Sequence, residues 1–129
     1  MTAPVTEHEI EPHPDNDPSH PIPYPKALDV VAFNKSGGAD LTIVVASPLP
    51  GDPRSLARLL DKIEGYLVHI LSTDFQSEAG APTAENTSIT VVLHPDSASE
   101  VYELLERSRD WVRTNNATLV VERLDVTVN

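Results

Sequence analysis

The chain has 129 residues, twelve prolines, no cysteine and a formal net charge of −11, which is room for one domain with a modest core. The lack of cysteine removes disulfides, thiolate zinc sites and cysteine nucleophiles together, and it fits a reducing compartment, so the cytoplasm is the expected location. The carboxylate surplus repels phosphate, and the Lys and Arg residues are scattered, with an aromatic neighbour only around Arg109, Trp111 and Arg113; nucleic acid is not an expected partner.

Residues 1–25 hold seven of the twelve prolines and five acids but no Lys or Arg. The opening MTAPVTEHEIEPHP is acidic and Pro-punctuated, unlike a secretory signal, and no run approaches the ~20 apolar residues of a membrane span. A membrane is therefore not an expected partner either. Such a segment buries too little surface to offset its ordering entropy, so 1–25 is expected to be a largely disordered acidic arm and 26–129 a single domain. Within the arm, EHEIEPHPDNDPSHPIPYP interleaves His8, His13 and His20 with carboxylates. Its prolines hold the chain extended and keep these ligands apart, so no metal and no other cofactor is expected. The arm ends in Ile22-Pro23-Tyr24-Pro25, which leads into the first strand and is a candidate strap over apolar sheet surface.

In ALDVVAFNKSGGADLTIVVAS, two apolar runs, Leu28 to Phe33 and Leu41 to Ala46, flank Gly37-Gly38 and read as a β-hairpin. SPLPGDPR then starts a helix, with Asp52 as its cap and Pro53 at the first helical position. Leu56, Leu59, Leu60, Ile63, Leu67, Ile70 and Leu71 form one apolar stripe, which puts His69 on the solvent face with Lys62 and Arg58. FQSEAGAPTAEN reads as a long loop, and TSITVVL as the third strand by its alternation. In HPDSASEVYELLERSRDWVRTNN, Ser97 and Glu100 match a capping box, and Val101, Leu104, Leu105, Trp111 and Val112 give the buried side of a second helix. The last strand, ATLVVERLDVTV, changes phase near Glu122, which reads as a bulge or, as the second choice, as a strand end followed by an exposed extension.

The order β-β-α-β-α-β implies an α+β two-layer sandwich, a four-stranded mixed sheet with two helices on one face. The third and fourth strands, joined by a helix, are expected to be parallel, with a right-handed crossover. The other sheet face would then present Val30, Val44, Val92 and Val120 among Thr42, Thr90 and Ala46, too apolar to be left bare. With Ile22 and Tyr24 these valines are the candidate interaction surface.

Catalytic signals are weaker. There is no G-x-S-x-G elbow, and the KSGGAD turn lacks phosphate-loop spacing and joins two strands. The loops Ser47–Arg54 and His94–Asp96, at the ends of the second and third strands, could form a pocket lined by Ser47, Arg54, His94 and Asp96. However, Asp96 is explained by starting the helix, and no nucleophile accompanies His94. No catalytic residue is assigned. The expected function is a non-enzymatic interaction module, homodimeric through the open sheet face or the terminal strand, or else bound to another protein. The alternatives are a small enzyme or ligand-binding domain using those two loops, and an acidic inhibitor or immunity-type partner of a basic protein.

LDVVAFNKSGGADLTIVV, LARLLDKIEGYLVHI and TSITVVLHPDSASEVYELLERSRDWVRTNNATLVVERL together resemble a small bacterial domain family of unknown function. Its members open on an aspartate-valine strand, turn through a Gly-containing hairpin and carry Lys-Ile and Tyr-Leu pairs on the first helix. The resemblance spans residues 27–125 and leaves the arm outside. It implies the same β-β-α-β-α-β architecture and brings no reaction or catalytic residue.

Overall fold

The structure, a computed structural model, describes residues 13–125. Four strands, β1 (Val30–Phe33), β2 (Ala39–Val45), β3 (Thr87–Leu93) and β4 (Thr118–Arg123), form one sheet in the order β1-β2-β3-β4. β1 and β2 are antiparallel, while β2–β3 and β3–β4 are parallel. Three helices complete the chain: α1 (Pro53–His69), α2 (Thr73–Ala79) and α3 (Ser99–Thr114). The fold is thus an α+β two-layer sandwich on a mixed sheet, with one more helix than the sequence pattern implied.

The hairpin forms as its turn residues require. Gly37 and Gly38 adopt φ of 105° and 83°, and the Asn34 N–H donates to the Gly38 carbonyl. A Cβ on Gly38 would lie 1.9 Å from the Asn86 carbonyl oxygen, so this glycine also lets the turn lie against the loop before β3.

Alternation places Leu41, Ile43 and Val45 of β2, Ile89, Val91 and Leu93 of β3, and Leu119 of β4 on the helix side, all buried. Leu59, Ile63, Tyr66, Leu67 and Ile70 of α1 meet them, with Val101, Leu105 and Val112 of α3. Burial of these side chains drives assembly, each contributing about 1.5–3 kcal/mol.

Four local expectations are corrected. Thr73–Ala79, which runs from the expected end of the first helix into the expected loop, is a separate helix because Ser72 caps it, its hydroxyl accepting from the Phe75 N–H at 3.1 Å, and Phe75 and Ala79 are buried. Ser97 and Glu100 form no capping box: α3 begins after Ala98 without a side-chain cap, and the Ser97 hydroxyl accepts instead from Leu49 N–H at 3.0 Å. Trp111 is not core but 37% exposed. The buried positions run Val101, Leu105, Ser108 and Val112, with Ser108 satisfied by donating to the Leu104 carbonyl at 2.7 Å. Finally, the β3–β4 ladder runs without interruption to Leu93–Arg123, so there is no bulge at Glu122. The strand ends at Arg123, and Val126 and Val128 lie outside the described residues.

Candidate functional site

The sheet registers define the face turned away from the helices row by row. The middle row is Val30, Thr42, Thr90 and Val120; one neighbouring row holds Val44, Val92 and Glu122, and the other Ala32, Asp40, Ser88 and Thr118. Val30 and Val44 are 49% and 40% exposed, and Val92 and Val120 are half-buried. The middle row carries no charge, and its side chains are short and mostly β-branched, which makes a low-relief surface. The two carboxylates, Asp40 and Glu122, flank it, and Asp40 accepts from the Ser88 hydroxyl at 2.8 Å. Four of the six residues expected at an interaction surface therefore share one face.

Ile22 and Tyr24 do not join them. The described part of the arm, residues 13–25, turns onto α1. Ile22 is 2% exposed and belongs to the core. Arg58 donates to the carbonyls of Ile22 (3.0 and 2.6 Å), Pro23 (3.2 Å) and Asp15 (2.7 Å). One turn further on, Lys62 donates to the Tyr24 carbonyl at 3.1 Å and pairs with Asp29 at 2.8 Å. Arg54 pairs with Asp17 at 2.7 Å. The segment from His13 to Pro25 is thus a strap over a helix and not over the open sheet, while the rest of the arm, His8 included, lies outside the described residues.

This strap overturns the expected solvent face of α1. Arg58 and Lys62 are 7% and 3% exposed, because the arm covers them. His69 is half-buried against Phe75, ring centroids 5.5 Å apart, and burial lowers its pKa despite the nearby Asp74. Asp29 also accepts from the Val44 N–H at 3.0 Å, and the Tyr66 hydroxyl accepts from the Asp29 N–H (2.7 Å) and donates to the Thr42 carbonyl (3.1 Å). The Asp29 carboxylate thus occupies the Val44 N–H, a group of β2 that lies beyond the end of β1. Burial, then the Asp29 charge, holds the Tyr66 hydroxyl well above its ordinary pKa, so it stays protonated.

At the far end of the strap the fold brings together His20, Ser55 and Asp52, a grouping with no sequence signature. The Ile22 N–H donates to His20 Nδ1 at 2.9 Å, which leaves Nε2 as the protonated nitrogen, 3.0 Å from Ser55 Oγ. The Ser55 hydroxyl donates to Asp52 at 2.7 Å. Donors therefore run from histidine to serine to aspartate, opposite to the direction a base needs to take a proton from serine. This is a structural clasp and not a nucleophile.

The loops Ser47–Arg54 and His94–Asp96 do lie at the same end of the parallel β2–β3 pair, as the second reading requires. They are stitched directly together: His94 N–H to the Val45 carbonyl, Ala98 N–H to the Leu49 carbonyl and Leu49 N–H to Ser97. Leu49 is fully buried where a ligand would have to enter. Of the four candidate residues, Arg54 is turned to Asp17 in the strap, and His94 Nδ1 accepts from the Asp96 N–H at 3.0 Å within its own turn; Ser47 is exposed. They are not convergent.

No protein-family model matches the chain, and no curated protein or solved structure matches it either. Among the described residues no helix is long and apolar enough to cross a membrane.

Proposed function

We propose that the protein is a non-enzymatic association module whose open sheet face pairs with the same face of a second copy. The observation that supports this reading is the uncharged row Val30–Thr42–Thr90–Val120 beside Val44 and Val92, with the carboxylates Asp40 and Glu122 kept to its flanks. Two such low-relief faces can stack at the ~10 Å spacing of packed sheets, with apolar side chains central and polar ones at the rim. Within this reading, association through the terminal strand is disfavoured. Arg109 already donates to the Leu119 carbonyl at 2.6 Å, and Glu122 and Arg123 put charges at the end of β4, which are devices that discourage edge pairing.

Sedimentation equilibrium at tens of micromolar is expected to give a dimer. Val92→Glu, on the open face and away from the core, is expected to give a folded monomer with unchanged circular dichroism. A monomeric wild-type protein, or a Val92→Glu dimer as tight as the wild type, overturns the reading.

A further inference from the structure

We propose that residues 13–25 form a proton-released strap, held on α1 by the neutral His20 imidazole and let go when that ring takes up a proton. The inference does not depend on how the sheet face is used. It begins from the two hydrogen bonds that fix the ring. Nδ1 must be a bare acceptor to receive the Ile22 N–H, and Nε2 must carry the hydrogen it offers to Ser55. Protonation adds a hydrogen at Nδ1 and sets it donor to donor against that N–H, so the bond that turns the chain into Ile22 cannot survive.

The charged surroundings act in the same direction. From α1, Arg58 and Arg54 face the ring; from the α1 cap, Asp52; and from the strap itself, Asp17. Arg58 is almost fully buried and donates only to backbone carbonyls, so it repels an imidazolium without a carboxylate of its own in between. Burial first, then Arg58 and Arg54, lower the His20 pKa, and Asp17 and Asp52 only partly offset them. Both carboxylates are themselves held below the usual range, by Ser19 and Arg54 for Asp17 and by Ser55 for Asp52, so they do not titrate where a histidine does.

The sign follows from this ordering. A histidine with a lowered pKa in the closed state stabilises that state fully above its ordinary value of about 6.5, and the contribution is lost as pH falls toward the lowered value. Below about pH 6.5 the open strap binds a proton more readily than the closed strap, which favours opening by at most about 30-fold at about pH 5. What opens is the Arg54–Arg58–Lys62 side of α1 and the core site of Ile22, and the cavity of ≈ 140 Å³ beside the latter reaches Val44 at the border of the open sheet face.

Nuclear magnetic resonance of the full chain tests this. The neutral His20 ring is expected to carry its proton on Nε2. The exchange protection of the Ile22 amide, corrected for intrinsic rates, is expected to drop about tenfold between about pH 7.5 and about pH 5, while Ile43 in β2 keeps its protection. His20→Asn supplies a non-titrating acceptor for the same N–H, as Asp17 does for the Ser19 N–H within the strap, and is expected to abolish the step. If that variant is unprotected at both pH values, Ser55→Ala decides: it weakens the clasp but leaves the titrating ring, so the step must remain. A wild-type strap indifferent to pH, an Nδ1-protonated neutral ring, a full step in His20→Asn (which would move the effect to His13 or elsewhere), or its loss in Ser55→Ala overturns the proposal.

Discussion

Tyr66 joins a core position to a polar task. Its hydroxyl completes both the Asp29 N–H and the Thr42 carbonyl at the place where β1 ends, from a side chain that is 1% exposed. Removing only that oxygen leaves the ring in place and breaks two part-buried hydrogen bonds, each worth about 0.5–1.5 kcal/mol. Tyr66→Phe is therefore expected to lower unfolding free energy by about 2 kcal/mol in urea titrations, with the far-ultraviolet spectrum intact; a variant as stable as the wild type would mean that water already serves these groups. Nothing in the sequence pointed to this role, since the helical pattern gives Tyr66 an ordinary place beside Leu67. The same holds for Arg58 and Lys62, which a helical wheel assigns to solvent. They are buried by a segment that shares no local pattern with α1, and a wheel contains no information about what covers a face.

Elements were legible to the degree that their cause is local. The β1–β2 hairpin could be read because Gly37 and Gly38 supply the positive φ its turn needs, and α1 because Asp52 and Pro53 mark its start and its apolar positions repeat. The valines of the open face followed from strand alternation alone, whereas the strand order could only come from the structure. α2 was hidden for the opposite reason: seven residues are too few for a periodic signal, and the segment is helical because Phe75 packs against Phe33 and His69 and Ala79 is buried, after Ser72 has capped the turn. Its stability should therefore lean on that cap. Ser72→Ala is expected to cost about 1 kcal/mol and to raise hydrogen exchange across Thr73–Ala79 before any other element; uniform loosening of the whole domain would instead show that α2 does not open independently of the core. The Ser97–Glu100 pattern carries the complementary lesson. The motif was present, but Leu49 N–H needed an acceptor, and a tertiary contact took the serine.

At the scale of the whole molecule the charge sets a condition on any partner. Each chain carries a formal −11, so two copies approaching face to face repel one another, and it is the uncharged middle row of the sheet with the neighbouring Val44 and Val92 that favours contact. Screening should therefore help self-association. Between about 0.01 M and 0.15 M salt the Debye length falls from about 30 Å to about 8 Å, and long-range repulsion between the copies is largely removed. The expected outcome is a homodimer that tightens severalfold over this range, read as a falling dissociation constant in sedimentation equilibrium. A basic partner drawn to the acidic surface would behave in the opposite way, since its attraction is what salt weakens. The direction of the salt dependence thus separates a self-associating module from an acidic inhibitor without knowledge of the partner. Pairing it with Val92→Glu locates the contact: loss of the dimer at every salt concentration places it on the open face, whereas a dimer that survives with an unchanged salt slope places it elsewhere.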